Sequence, residues 1–203
     1  MNKTIIILFA LIKEANSLLN QSILKFKLLA KNEFFCEYNS YNIIVLITGI
    51  GKKSKKSHKI INSNNNCLII KAGTCAILDN NISLLTPIVP QFVGYDQKKI
   101  NLEFSRFNLN IQKKIKPMII NKGLLTIKKP LLNKKKAKTY YKNNFAACDM
   151  ETFYLLEKYK ETPFIPLLVG TDRGNNTSII SFFKNLSKAS EILKDQIIKI
   201  IKK

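Results

Sequence analysis

The sequence predicts an α/β fold, three layers (α/β/α) around a central mixed sheet, on three observations. Largely apolar runs recur at 5–9, 43–47, 67–70 and 163–169. Runs with no polar alternation are strands covered on both faces. Helix-like segments follow, from Ala15 to Leu19, from Phe153 to Lys160 and from Ser178 to Lys202. The last carries Ala189, Leu193, Ile197 and Ile200 at helical spacing. Finally, Glu14, Glu151 and Asp172 stand just beyond the apolar runs 5–9, 145–147 and 163–169 in a chain with only 13 acidic residues. The carboxyl ends of strands are where such sheets place their ligands.

The bulk numbers bound the function. A length of 203 residues suits one domain, 1–203, with a sizeable core. The formal charge of +21 suggests a nucleic-acid partner. Its make-up argues otherwise: 32 Lys, 2 Arg and 22 Asn match an AT-rich coding composition. Base and phosphate recognition leans on the planar Arg fork. The Lys runs at 52–56 and 134–136 read as solvated faces, so nucleic acid is expected to bind only nonspecifically. The four Cys form no Cys-x-x-Cys pair and there is one His, so no metal-ligand cluster assembles by spacing. Free thiols suit a reducing cytoplasmic setting. Thr4 to Ile12 is interrupted by Lys13 and Glu14, which favours a first strand over a signal peptide. No apolar run reaches the about 18 residues of a membrane span.

In chain order, 5–9 is the first strand, and Glu14 falls in the first turn of the helix after it. By position alone, Glu14 is a first-turn acid favoured by the helix dipole. Residues 22–42 hold one or two strands. The strand at 43–47 ends in Thr48-Gly49-Ile50-Gly51-Lys52. Its Gly-x-Gly allows a tight turn and lacks Walker A spacing. His58 lies on a Lys-rich helical segment, exposed and not catalytic, and 62–66 is a polar turn. The strand at 67–70 ends at Lys71, before Gly73 and Thr74. A strand is expected at 84–89, with Pro87 marking an edge or bulge. The segment 94–121 is uninformative, and Glu103 and Arg106 have no evident partner. A strand at 123–127 precedes Leu131 and Leu132. The run Phe145-Ala146-Ala147 leads into Cys148-Asp149-Met150-Glu151-Thr152. The last strand ends in Gly170-Thr171-Asp172-Arg173, and Phe182 follows ten residues after Asp172.

These landmarks resemble the nucleoside phosphorylase/nucleosidase superfamily, and within it the methylthioadenosine/S-adenosylhomocysteine nucleosidases. The Ala10 to Glu14 spacing, Gly-Ile-Gly-Lys at 49–52, Gly73-Thr74, Asp-Met-Glu at 149–151 and Thr171-Asp172 are similar to that family's motifs in order. Ala76 replaces a usual Gly, and Leu131 stands where the family has an aromatic that stacks on the purine. The resemblance implies a partly barrel-like sheet, a small-molecule purine nucleoside substrate, a homodimer, and no metal or organic cofactor. It also implies the roles. Asp172 would protonate purine N7, Glu14 would position water, and Glu151 would hold the ribose hydroxyls with Met150 against the sugar. Ile50, Gly73, Thr74, Leu131, Leu132 and Phe182 would complete the substrate-binding site.

Hydrolysis is favoured over phosphorolysis because a carboxylate at Glu14 suits water and repels phosphate. Phosphorylase members carry Arg at the position of Lys71, which keeps the charge, so phosphorolysis is the runner-up. The Leu-x-x-Glu-Ala run at 11–15 is also similar to a subgroup linked to hopanoid synthesis, which acts on an adenosyl-lipid. A basic nucleic-acid-binding protein is the rival from another class.

Overall fold

The computed structural model describes residues 3–52 and 67–202. His58 and the polar turn at 62–66 lie outside the described residues. The strands are β1 (Lys3–Phe9), β2 (Lys27–Ala30), β3 (Glu33–Tyr38), β4 (Tyr41–Ile47), β5 (Cys67–Ile77) and β6 (Pro87–Pro90). They continue with β7 (Phe92–Tyr95), β8 (Lys98–Asn101), β9 (Ile119–Ile120), β10 (Gly123–Thr126), β11 (Phe145–Asp149) and β12 (Phe164–Asp172). The α-helices are α1 (Ile12–Leu19), α2 (Leu109–Ile115), α3 (Lys134–Lys142), α4 (Thr152–Lys158) and α5 (Ser178–Ile201).

Among the described residues the strands form one mixed sheet of 12, as the apolar runs predict. Its main path runs β2-β3-β4-β1-β5-β11-β10-β7-β8. The sheet forks at β5. Strand β1 pairs in parallel with residues 67–71, β11 pairs antiparallel at Ala76 and Ile77, and β12 runs parallel along the opposite edge. The fork explains a correction. The strand expected at 67–70 continues through Gly73 and Thr74 to Ile77, because its far half has hydrogen-bonding neighbours of its own.

The period-2 rule sorts the core onto both sheet faces. Ile5, Ile7 and Phe9 join Ala15 and Leu18 of α1 and Ala189, Leu193 and Ile197 of α5 in one cluster. Ile6 and Leu8 join Phe153, Leu155 and Leu156 of the opposite layer. Each fully buried Ile or Leu contributes about 1.5–3 kcal/mol relative to exposure. Ser190 fixes α1 against α5: its hydroxyl accepts from Ser17 N–H and donates to the Glu14 carbonyl.

Residues 22–42 hold two strands, β2 and β3, within the one or two expected. Two other expectations change. The strand expected at 84–89 starts only at Pro87, because Leu85 adopts a left-handed φ of 65° and donates its N–H to the Gly170 carbonyl. Pro87 thus sits at a strand's first residue, where its missing N–H is tolerated. Arg106 has partners: its guanidinium donates to the carbonyls of Lys160 and Glu161. They come from a distant loop that no local pattern reveals.

The β5–β12 contact is tight at Gly170. A Cβ there would lie 2.2 Å from Ile77 Cγ1. Gly170→Ala should destabilise the fold by about 1–3 kcal/mol through overpacking. Urea unfolding checks this, and a midpoint equal to wild type would show that the two strands can part at no cost.

Candidate active site

Three loops meet above the sheet where β1, β4, β5, β11 and β12 end. The β1–α1 turn delivers Glu14, the turn after β4 delivers Ile50, and the β11–α4 turn delivers Met150 and Glu151. Asp172 is the last residue of β12. Backbone bonds from Thr48 N–H to the Phe9 carbonyl and from Gly49 N–H to the Ala10 carbonyl tie the first two loops together. The cavity the loops form measures ≈ 530 Å³, a size that takes a small organic ligand. Glu14, Ile50, Thr74, Leu131, Leu132, Met150, Glu151, Asp172 and Phe182 all line it. Gly73 is not part of the wall; it gives room instead to two side chains beside it. A Cβ at Gly73 would lie 2.4 Å from Lys71 Nζ and 3.3 Å from Glu14 Oε1.

Glu14 is buried, and both oxygens of its carboxylate accept hydrogen bonds. Oε2 accepts from Leu11 N–H at 3.0 Å, closing the first turn of α1. Oε1 accepts from the Thr74 N–H at 2.9 Å and the Thr74 hydroxyl at 2.7 Å. The helix-cap role foreseen from position is therefore real, and the same carboxylate also lines the cavity.

Glu151 is buried beside it. Its Oε1 accepts from the Gly51 N–H at 3.0 Å, and Gly51 can turn that amide inward because it takes a left-handed φ of 65°. Burial pushes the Glu151 carboxyl up to about 7; Asp149 and Glu14 add to the rise, while Lys71 and the Gly51 amide oppose it. Asp172 sits among apolar atoms with Oδ1 accepting from Gly174 N–H at 2.9 Å. Burial raises its carboxyl above the ordinary range against the pull of Gly174, Ser178 and Thr171.

Ala76, Ile127, Pro130, Leu131 and Leu132 give the wall an apolar stretch, Lys13, Thr171 and Ser178 add polar side chains, and Phe182 and Phe183 of α5 also line the cavity. Cys75 and Cys148 also line it, and burial pushes both thiols well above the usual range. They are therefore poor nucleophiles. Among the described residues no group of three or more His, Cys, Asp or Glu could hold a metal ion, and no helix is long and apolar enough to cross a membrane.

Two buried groups were not foreseen in their actual roles. Asp149 lines the cavity with Glu151, yet its carboxylate is held by its own turn. Its Oδ1 accepts from the Thr126 hydroxyl at 2.8 Å, and its Oδ2 from the Thr152 N–H and hydroxyl. It thereby sets the turn that aims Glu151. Lys71 is 1% exposed on β5, with Nζ 3.7 Å from Asp149 Oδ2 and 3.8 Å from Glu151 Oε2. A lysine inside the apolar run Leu-Ile-Ile-Lys-Ala at 68–72 was the available signal, since a buried Lys requires partners.

This architecture is the fold of solved methylthioadenosine/S-adenosylhomocysteine nucleosidases and of a futalosine hydrolase. An S-adenosylhomocysteine nucleosidase from Streptococcus pyogenes, in complex with 5-methylthiotubericidin, superposes with a TM-score of 0.82 at 14% identity over 98% of this chain and 95% of that one. A 5′-methylthioadenosine/S-adenosylhomocysteine nucleosidase from Neisseria meningitidis, in complex with methylthio-immucillin-A, gives 0.83 at 13% over 98% of both chains. A futalosine hydrolase mutant of Helicobacter pylori gives 0.81 at 15%, again over 98% of both. No protein-family model matches the sequence, and no curated protein matches it significantly.

Proposed function

We propose that this protein hydrolyses the N-glycosidic bond of a purine nucleoside of the methylthioadenosine/S-adenosylhomocysteine type. The observation that carries the reading is the convergence of Glu14, Glu151 and Asp172, from three separate strand ends, in one apolar-walled cavity. Cleaving this bond builds positive charge on the ribose and negative charge on the base. Asp172, whose proton affinity burial raises, donates to N7 as the C1′–N9 bond breaks and its electrons pass to the base. Glu151 accepts from the ribose hydroxyls and stabilises the sugar cation. Glu14 accepts the proton of the water whose oxygen bonds to C1′. Leu131 and Ile127 hold the base by apolar contact in place of a stacked ring. The reaction as written needs no metal or organic cofactor. Exposed Ile50, Ile179 and Phe183 rim the mouth, and the homodimer implied by the resemblance would cover them.

Methylthioadenosine, S-adenosylhomocysteine, adenosine, inosine and futalosine are each to be incubated with the protein, with and without phosphate, and resolved by chromatography. Free base and free sugar without phosphate is the expected result. Ribose 1-phosphate formed only with phosphate would replace hydrolysis by phosphorolysis. No base from any substrate would overturn the reading, unless an adenosyl-lipid added to the series is cleaved.

A further inference from the structure

We propose that Lys71 is a positioning residue for hydrolysis: its buried ammonium, seated over Gly73 between three carboxylates, favours the ionised form of Glu151 that the ribose needs and is not available to phosphate. This rests on the nucleosidase reading above and extends it to a residue outside the cavity wall.

The geometry is specific. Lys71 Nζ is wholly buried and has no hydrogen-bond partner among the described residues. Its distances of 3.7 Å to Asp149 Oδ2 and 3.8 Å to Glu151 Oε2 are too long for direct hydrogen bonds but short for charge attraction. The bare Cα of Gly73 creates the space, and Glu14 Oε1 borders the same spot. A lone ammonium buried this deeply would shed its proton; here burial does lower its proton affinity, but Asp149, Glu151 and Glu14 together outweigh it. Conversely, three buried carboxylates without a cation could not all stay ionised.

Among the described residues, the groups that act on the pair are Lys71 and Cys75 from β5, Asp149 from β11, Glu14 from α1 and Tyr154 from α4, with the Gly51 amide from the turn after β4. Lys71 among these three carboxylates leaves its own spot net negative, which disfavours phosphate beside it; Lys13 also lines the cavity. The positive charge that could suggest a phosphorylase from sequence is spent on the protein's own acids.

The test follows the Glu151 carboxyl carbon by NMR through a pH titration, in wild type, Lys71→Met and Lys71→Arg. The wild-type midpoint is expected near about 7. Loss of the cation should raise it by about 1–3 pH units, and Lys71→Arg should hold it near wild type. The acid limb of kcat/KM should move upward with it, since activity needs the ionised carboxylate. Should Lys71→Met not fold, Lys71→Met/Asp149→Asn against Asp149→Asn makes the same comparison without adding net negative charge. An unmoved midpoint would leave Lys71 a merely structural residue and overturn the proposal, as would phosphate accelerating the wild type. Because the titration needs no turnover, it remains decisive even if no nucleoside is cleaved, an outcome that would count against the proposed function alone.

Discussion

Asp172→Asn should lower base release by about 10²–10⁴-fold with the fold intact. Two influences compete at this carboxyl. Hydrogen bonds from Gly174, Ser178 and Thr171 favour the ionised form, and burial favours the neutral one. Burial wins, so the carboxyl holds its proton more tightly than an ordinary Asp. Asn keeps the shape and can still accept from Gly174 N–H, while the Thr171 hydroxyl, 3.3 Å from Oδ2, can turn to accept from the new amide. What Asn lacks is a proton to transfer. The measurement is the single-turnover rate, with circular dichroism and the unfolding midpoint as controls. Near-wild-type turnover would remove Asp172 from the role of acid. Unfolding of the variant would instead mark the hydrogen bonds that the carboxylate accepts from Thr171 and Ser178 as structural ties.

Glu14→Gln should reduce hydrolysis by a similar factor, about 10²–10⁴, with nucleoside affinity largely preserved. Its structural cost should exceed that of Asp172→Asn. Both Glu14 oxygens accept hydrogen bonds from fixed groups, Leu11 N–H on one side and Thr74 N–H and hydroxyl on the other. The amide of Gln must face a donor at one of them. Leaving that donor unsatisfied costs about 1–3 kcal/mol. Calorimetric affinity set against the single-turnover rate separates the roles. If affinity falls as far as the rate does, Glu14 is a wall and cap residue only. Thr74→Val is the control: it removes one donor and leaves the carboxylate charge, so most activity should survive.

Much of the frame was legible before any coordinates. Unbroken apolar runs become fully buried strands, as in β1 and β12, because a strand with both faces covered has no polar side to advertise. Glu14, Glu151 and Asp172 could be singled out because acids are rare here and each follows such a run. Local pattern failed where distant segments intervene. The continuation of β5 past Gly73 depends on β11 and β12, which pair with it from far along the chain. Pro87 opens β6 only because Leu85 turns back to Gly170.

The sequence by itself determined which residues would be buried and where the acids would stand along the strands, because periodicity and strand ends are properties of short segments. Only the tertiary structure decided what those acids are worth as chemistry. Their ionisation depends on distances between loops 60 to 100 positions apart in the chain, as from Glu14 to Thr74 and from Gly51 to Glu151. It also depends on Lys71, whose meaning changes from a possible phosphate cation to a counter-ion once three carboxylates surround it. Electrostatic interaction falls with distance in space and is indifferent to distance in sequence.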